Sequence, residues 1–251
     1  VILKSVAMFV IAGLSYFIAL VLYMPVSFAW GYVQEWLPLQ QLPVKVQQTN
    51  GTLWDGEALL SSRQLSGVID WQLAPQSLIT SDSLVNIDFR SDRISLTSQG
   101  ALRNFEQAEL DANLELDLAA LNPLLRQHRL NLSGVLTIQR LSTVVDLNTG
   151  KPLELKGQGR WEGGSVSYPM GREVQSTVMP PLVGQITQVG QDISLEVTEE
   201  ESGKAVMQAQ MGPDGVAKIQ IRRRLLDLAG APWSGSSGPD DVVFRIQQKV
   251  I

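Results

Sequence analysis

Side chains able to act on a substrate are few in this chain and poorly matched. His128 is the only histidine, and there is no cysteine. A metal site or a nucleophile–base pair built on His128 would need partners, yet the segment Arg126-Gln127-His128-Arg129 sets cations on both sides of it, which suits an exposed loop better than a metal. Glu199-Glu200-Glu201 precedes Gly203 and reads as a solvated hairpin tip, because a cation loop would intersperse other oxygen ligands. Arg222-Arg223-Arg224 could meet lipid headgroups or a partner's acids, or simply be solvated. Glu109, Asp111, Glu115 and Asp117 could supply paired carboxylates for acid–base work, but an exposed strand face needs the same residues for solubility. There is no phosphate-cradling glycine loop, no G-x-S-x-G and no H-E-x-x-H. The expectation is a protein with no catalytic residues, no cofactor and no metal, and not an enzyme.

The elements that would have to position such residues begin with a long apolar run. From residue 5 to residue 34 no Asp, Glu, Lys or Arg occurs, and residues 6–24 are almost unbroken hydrocarbon. About 20 such residues suffice for a helix to cross a bilayer core. Tyr23, Pro25, Trp30, Tyr32 and Trp36 follow and read as an aromatic belt at the interface. The run predicts a tail over residues 1–4, a transmembrane helix over 5–26, a membrane-proximal linker over 27–43 and a folded domain over 44–251. The competing reading is a cleaved secretory signal, whose apolar region is shorter and ends in small residues. Lys4 is the only charge before the run and places the N-terminus in the cytoplasm. In either reading the bulk of the chain is exported.

That bulk alternates with period two. Ala108, Leu110, Ala112, Leu114, Leu116 and Leu118 interleave with Glu109, Asp111, Asn113, Glu115 and Asp117, the pattern of a half-buried strand. Further strands are expected at 44–48, 57–62, 66–73, 83–90 and 94–100, and 131–146 is long enough for one bent strand or two. Later alternations run through Ile193, Leu195 and Val197, then Ala205, Met207, Ala209 and Met211, then Ala217, Ile219 and Ile221, and last Val242, Phe244 and Ile246. Turn residues such as Gly212-Pro213-Asp214-Gly215 separate them. Short helices fit 118–127 and 222–231. The fold class is mainly β: a predominantly antiparallel domain, a curved open sheet or a sandwich. An echo between Gly51-Thr52-Leu53-Trp54-Asp55-Gly56 and Gly159-Arg160-Trp161-Glu162-Gly163-Gly164 reads as two similar hairpins, by duplication or by chance. Duplication would give sub-halves 44–120 and 130–251.

Asn50-Gly51-Thr52-Leu53-Trp54-Asp55-Gly56, followed by Asp70-Trp71-Gln72-Leu73-Ala74-Pro75, resembles the signature of protein N (GspN) of the bacterial type II secretion system. Larger envelope proteins of the AsmA type share its helix-then-β plan. The resemblance implies a single-pass protein of the cell inner membrane with a periplasmic domain, an accessory to a machine that exports folded proteins. Its motif residues here are Gly51, Thr52, Leu53, Trp54, Gly56, Trp71, Leu73 and Pro75, and a structural role for them is expected.

Charge narrows the partners. With 25 Asp+Glu against 20 Lys+Arg and a net charge of −5, no basic excess is available for nucleic acid. Two classes of function remain. One is assembly with other inner-membrane secretion subunits through strand edges or apolar patches. The other is a carrier whose apolar β groove shelters a lipid or acyl chain, with Ala205, Met207, Ala209 and Met211 as inward residues.

Overall fold

We describe residues 13, 15–17, 19–28, 45–62, 66–74, 83–103, 106–170, 173–233 and 235–249 of a computed structural model. The strands follow the period-two segments. They are β1 (Lys45–Gly51), β2 (Asp55–Ser61), β3 (Ser66–Leu73), β4 (Ser83–Ser91), β5 (Ile94–Arg103), β6 (Gln107–Asp117), β7 (Asn131–Leu132) and β8 (Val135–Asp146). The second series is β9 (Pro152–Trp161), β10 (Gly164–Met170), β11 (Glu173–Met179), β12 (Leu182–Val189), β13 (Asp192–Glu199), β14 (Ala205–Met211), β15 (Val216–Arg222) and β16 (Val242–Lys249). Two short helices interrupt them: α1 (Asn122–Leu125), flanked by 3-10 turns, and α2 (Arg223–Leu228).

Thirteen of these strands form one antiparallel sheet in the order β1-β2-β3-β4-β5-β6-β8-β9-β12-β13-β14-β15-β16. β7, β10 and β11 form a separate sheet of three. The large sheet is an open meander. Where two sub-halves were expected to meet, near residues 120–130, β6 and β8 pair directly and the sheet continues.

Register explains why the sheet has two unlike faces. One row of paired residues crosses all thirteen strands: Thr49, Ala58, Ile69, Phe89, Leu96, Leu114, Ile138, Gly159, Gly184, Val197, Met207, Ile221 and Phe244. The neighbouring row on the opposite face contains Gln139, Gln158, Gln185, Glu196, Gln208, Gln220 and Arg245. Because side chains alternate along a strand, most strands contribute carbon chiefly to one face and polar groups to the other. Ala58 and Ala112 are buried on the apolar face, whereas most of that face is only half-buried.

A bulge bends the middle of the sheet. Pairing slips between Ala112 and Leu114 on β6 and between Gln139 and Ser142 on β8. Arg140 there adopts φ 54°, and its backbone N–H donates to Asn113 Oδ1 at 2.9 Å. An extra residue in one strand kinks the pair and strengthens the local twist.

The second half of the sequence echo is not a hairpin. β9 has β8 on one edge and β12 on the other, so no edge is free for β10 to pair back. The chain leaves the large sheet at Gly163, with φ 85°, and β10 pairs with β7 and β11 instead. The expected strand at 131–146 resolves into β7 and β8, which lie in different sheets. Tyr168 Oη on β10 donates to the carbonyl of Ala229, just past α2, at 3.2 Å.

The transmembrane helix expected over residues 5–26 falls partly outside the described residues. Among those described, helical positions occur between 13 and 22 and at 26–28, and no helix is long and apolar enough to cross a membrane.

A Cβ on Gly163 would stand 2.5 Å from the carbonyl oxygen of Met179 and would add the strain of a left-handed backbone. Gly163→Ala is expected to lower unfolding free energy by about 1–3 kcal/mol. Urea denaturation followed by tryptophan fluorescence checks it, and an unchanged midpoint would contradict it.

Candidate functional site

The signature residues build a joint between the sheet and the N-terminal helical segment. Gly51, at φ 90°, lets the chain turn out of β1, and a Cβ there would stand 2.5 Å from the Asp55 carbonyl oxygen. Thr52 closes the turn. Its Oγ1 accepts from the backbone N–H of Trp54 (3.3 Å) and of Asp55 (3.1 Å), and its own N–H donates to Asp55 O at 2.8 Å. Thr52 also forms an isolated antiparallel bridge with Pro25. Beside it, the Leu53 N–H donates to the carbonyl of Met24 at 3.1 Å, and Trp54 Nε1 donates to the carbonyl of Val21 at 2.9 Å. Val21 lies in the last turn of the helical segment, where carbonyls run short of partners within the helix, and accepts the Met24 N–H at 3.4 Å as well; Met24 lies just past the helix. Trp54 is 8% exposed and Val26 3%.

The next strand locks this turn from the other side. Trp71 Nε1 donates to the Leu53 carbonyl at 3.2 Å, and the Leu73 N–H donates to the Trp54 carbonyl at 2.6 Å. Gly56 lies opposite Trp71 in register, and a Cβ on it would stand 2.5 Å from the indole ring. The structure therefore brings together Gly51, Thr52, Leu53, Trp54, Gly56, Trp71 and Leu73. Pro75 lies outside the described residues.

A second feature occupies the apolar face. β8, β9, β12 and β13 enclose an open trough of ≈ 470 Å³ lined by Leu118, Leu136, Ile138, Leu141, Trp161, Leu182, Ile186, Leu195 and Val197. Its floor is made by Gly157, Gly159 and Gly184, and the last two face each other across β9 and β12. The indole N–H of Trp161, the one polar group among those side chains, is spent on the Ser133 carbonyl at 3.0 Å. Such a surface offers dispersion and water exclusion and no hydrogen bonds. The expected inward set lies beside it. Met207, Ala209 and Met211 stand on the same face one strand beyond, and Ala205 lies past a register shift.

The remaining candidates do not converge. His128 closes the 3-10 turn Arg126–His128 that follows α1. On β6, Glu109 pairs with Arg103 at 2.5 Å and Asp117 accepts from the N–H of Ala119 at 2.9 Å. Among the described residues no group of three or more His, Cys, Asp or Glu could hold a metal ion. Glu199–Glu201 does form the β13–β14 hairpin tip, yet Glu200 is not simply solvated. Arg160 grips it with two hydrogen bonds of 2.8 and 2.9 Å.

The arginine triplet likewise serves the chain itself. Arg222 donates to the Asp240 carbonyl at 2.6 Å, Arg223 to the Ser237 carbonyl, and Arg224 to the Asp240 carboxylate at 2.7 Å. It clasps the segment before β16. Sequence reasoning missed this clasp because its acceptors return to the triplet from 14–18 residues further on.

Three outcomes test this geometry. Trp54→Phe removes the donor to Val21 and shrinks the buried indole to a single ring, and should cost about 2–4 kcal/mol while speeding exchange of the Leu53 amide. Gly159→Ala and Gly184→Ala meet only ordinary contacts, at 3.5 and 3.6 Å. Each should therefore leave stability unchanged or raise it by about 0.5–1 kcal/mol in urea melts.

Hydrogen bonds from Arg160 and Arg224 hold the Glu200 and Asp240 carboxyls below the ordinary range. Their contribution is complete above that range and is lost as pH falls through the depressed values. Melting temperature should therefore fall on acidification below about pH 4, and less so in Glu200→Gln.

The family model described as Type II secretion system (T2SS), protein N matches residues 43–233. No curated protein and no solved structure matches.

Proposed function

The chain belongs to the type II secretion system protein N family, and from that premise we propose that it is an accessory inner-membrane subunit acting through protein–protein contacts in the periplasm. The observation that carries this reading is the joint. Its signature residues spend their donors on the end of an apolar helical segment and on each other, and leave no reactive group exposed. That is how a rigid domain is held at a fixed angle to an anchor. The large side chains Tyr16, Phe17, Leu20, Leu22, Tyr23 and Phe28 are all exposed, which supports lipid as their surroundings.

The trough favours a second reading, in which the sheet shelters a lipid acyl chain. Its lining is hydrocarbon, its floor is glycine, and it is open along the sheet face.

Both readings are tested in one preparation. The protein is purified from membranes in mild detergent, and the retained proteins and lipids are identified by mass spectrometry. Assembly predicts other secretion subunits in sub-stoichiometric or equal amounts, and their absence after in-cell crosslinking counts against it. The carrier reading predicts a retained acyl lipid that Gly184→Leu, which fills the trough, reduces several-fold. Topology has its own test, since the chain has no cysteine. A single cysteine placed at Ser202 should react with a membrane-impermeant maleimide supplied from the periplasmic side. Labelling only after lysis would overturn the proposed orientation.

A further inference from the structure

We propose that the outer edge of β16 is a docking site for an extended segment of another polypeptide in which apolar and acidic side chains alternate. The inference rests on the assembly reading and names the surface and the chemistry of the partner.

β16 is the last strand of the large sheet, so among the described residues no strand takes up its outward N–H and C=O groups. From Phe244 to Lys249 it pairs with β15 without a shift in register, which leaves a regular edge. The opposite edge is different. β1 carries a register shift between Val46 and Gln48, and the residue that follows it, Thr52, is bridged by Pro25. Bulges of that kind blunt an edge against pairing.

The side chains at the β16 edge specify what would fit. Phe244 and Ile246 lie at the end of the apolar face, each 45% exposed. Arg245 and Lys249 project from the other face with Gln247 between them, and Lys218 on β15 pairs opposite Gln247. Arg245, Gln247 and Lys249 are all exposed. The three strands β14, β15 and β16 contain no Asp or Glu, although the whole chain has a net charge of −5.

A strand added here must place every second side chain beside Phe244 and Ile246 and the intervening ones beside Arg245 and Lys249. Opposite charges directly across a strand pair stabilise it and like charges oppose it. An alternating apolar–acidic segment satisfies both faces at once, and an apolar–basic one satisfies one only. Cations on an edge also serve to keep strands away, so the test must separate attraction from refusal.

The full chain in detergent micelles is titrated with a fluorescein-labelled, end-blocked ten-residue peptide alternating valine and glutamate, and with its valine–lysine counterpart. The glutamate peptide should raise anisotropy, bind about tenfold more tightly than the lysine peptide and weaken with added salt. Amide exchange should slow along β16 and stay unchanged along β1. The double substitution Arg245→Glu with Lys249→Glu should reverse the preference between peptides. No binding, equal binding, protection away from β16, or an unchanged preference in the double variant overturns the proposal. Co-purification distinguishes the two levels. If secretion subunits accompany the protein but the peptide does not bind, the edge proposal fails and assembly stands. If the peptide binds but no subunits accompany the protein, the assembly reading fails and the edge remains a peptide site.

Discussion

The row of side chains from Thr49 to Phe244 ties the molecule together, because every strand of the large sheet contributes one residue to it and each is fixed by pairing with its neighbours. Since side chains alternate with period two, a slip of one residue in a strand such as β6 or β13 would turn its carbon to the polar side and its acids to the apolar side. Burial is thin: Ala58 and Ala112 are covered, while much of the apolar face is open. The sheet is held as a continuous ladder of strand pairs, with half-exposed surface pairs such as Arg160–Glu200 adding a small increment that acid removes.

The joint and the trough are consequences of the same arrangement at two places. At the β1–β2 turn, the Trp54 carbonyl takes the Leu73 N–H of β3, while the Leu53 N–H and the Trp54 indole turn to the carbonyls of Met24 and Val21. In the middle, Gly159 and Gly184 interrupt the row of large side chains, and the face deepens there without losing its strand pairing. The bulge at Asn113 and Arg140 lies beside this depression and bends the sheet where β6 meets β8.

Much of this was legible in the residues. The alternation from Ala108 to Leu118 announces a half-buried strand because polar and apolar positions are sorted at the period of the pleat. The turn chemistry of Gly51 and Thr52 is local and can be read locally. What was not legible depends on residues far apart in the chain. Gly157, Gly159 and Gly184 look like weak points in strands until register sets Gly159 against Gly184. The string Trp161-Glu162-Gly163-Gly164 says that the chain turns but not into which sheet. That choice follows from β12, whose Leu182 returns to pair with Trp161 and takes the edge of β9. Arg222, Arg223 and Arg224 show three cations, and their acceptors appear only when the chain folds back before β16.

The order of strands has a consequence for how the protein is made. Apart from two excursions, through α1 and β7 between β6 and β8 and through β10 and β11 between β9 and β12, each strand of the large sheet lies beside the one that precedes it in the chain. Closing a hairpin joins residues close in sequence, so each step costs little loop entropy and needs nothing not yet synthesised. A chain delivered from its N-terminus can therefore zip up one strand at a time. The growing edge is covered by each newcomer almost as soon as it forms.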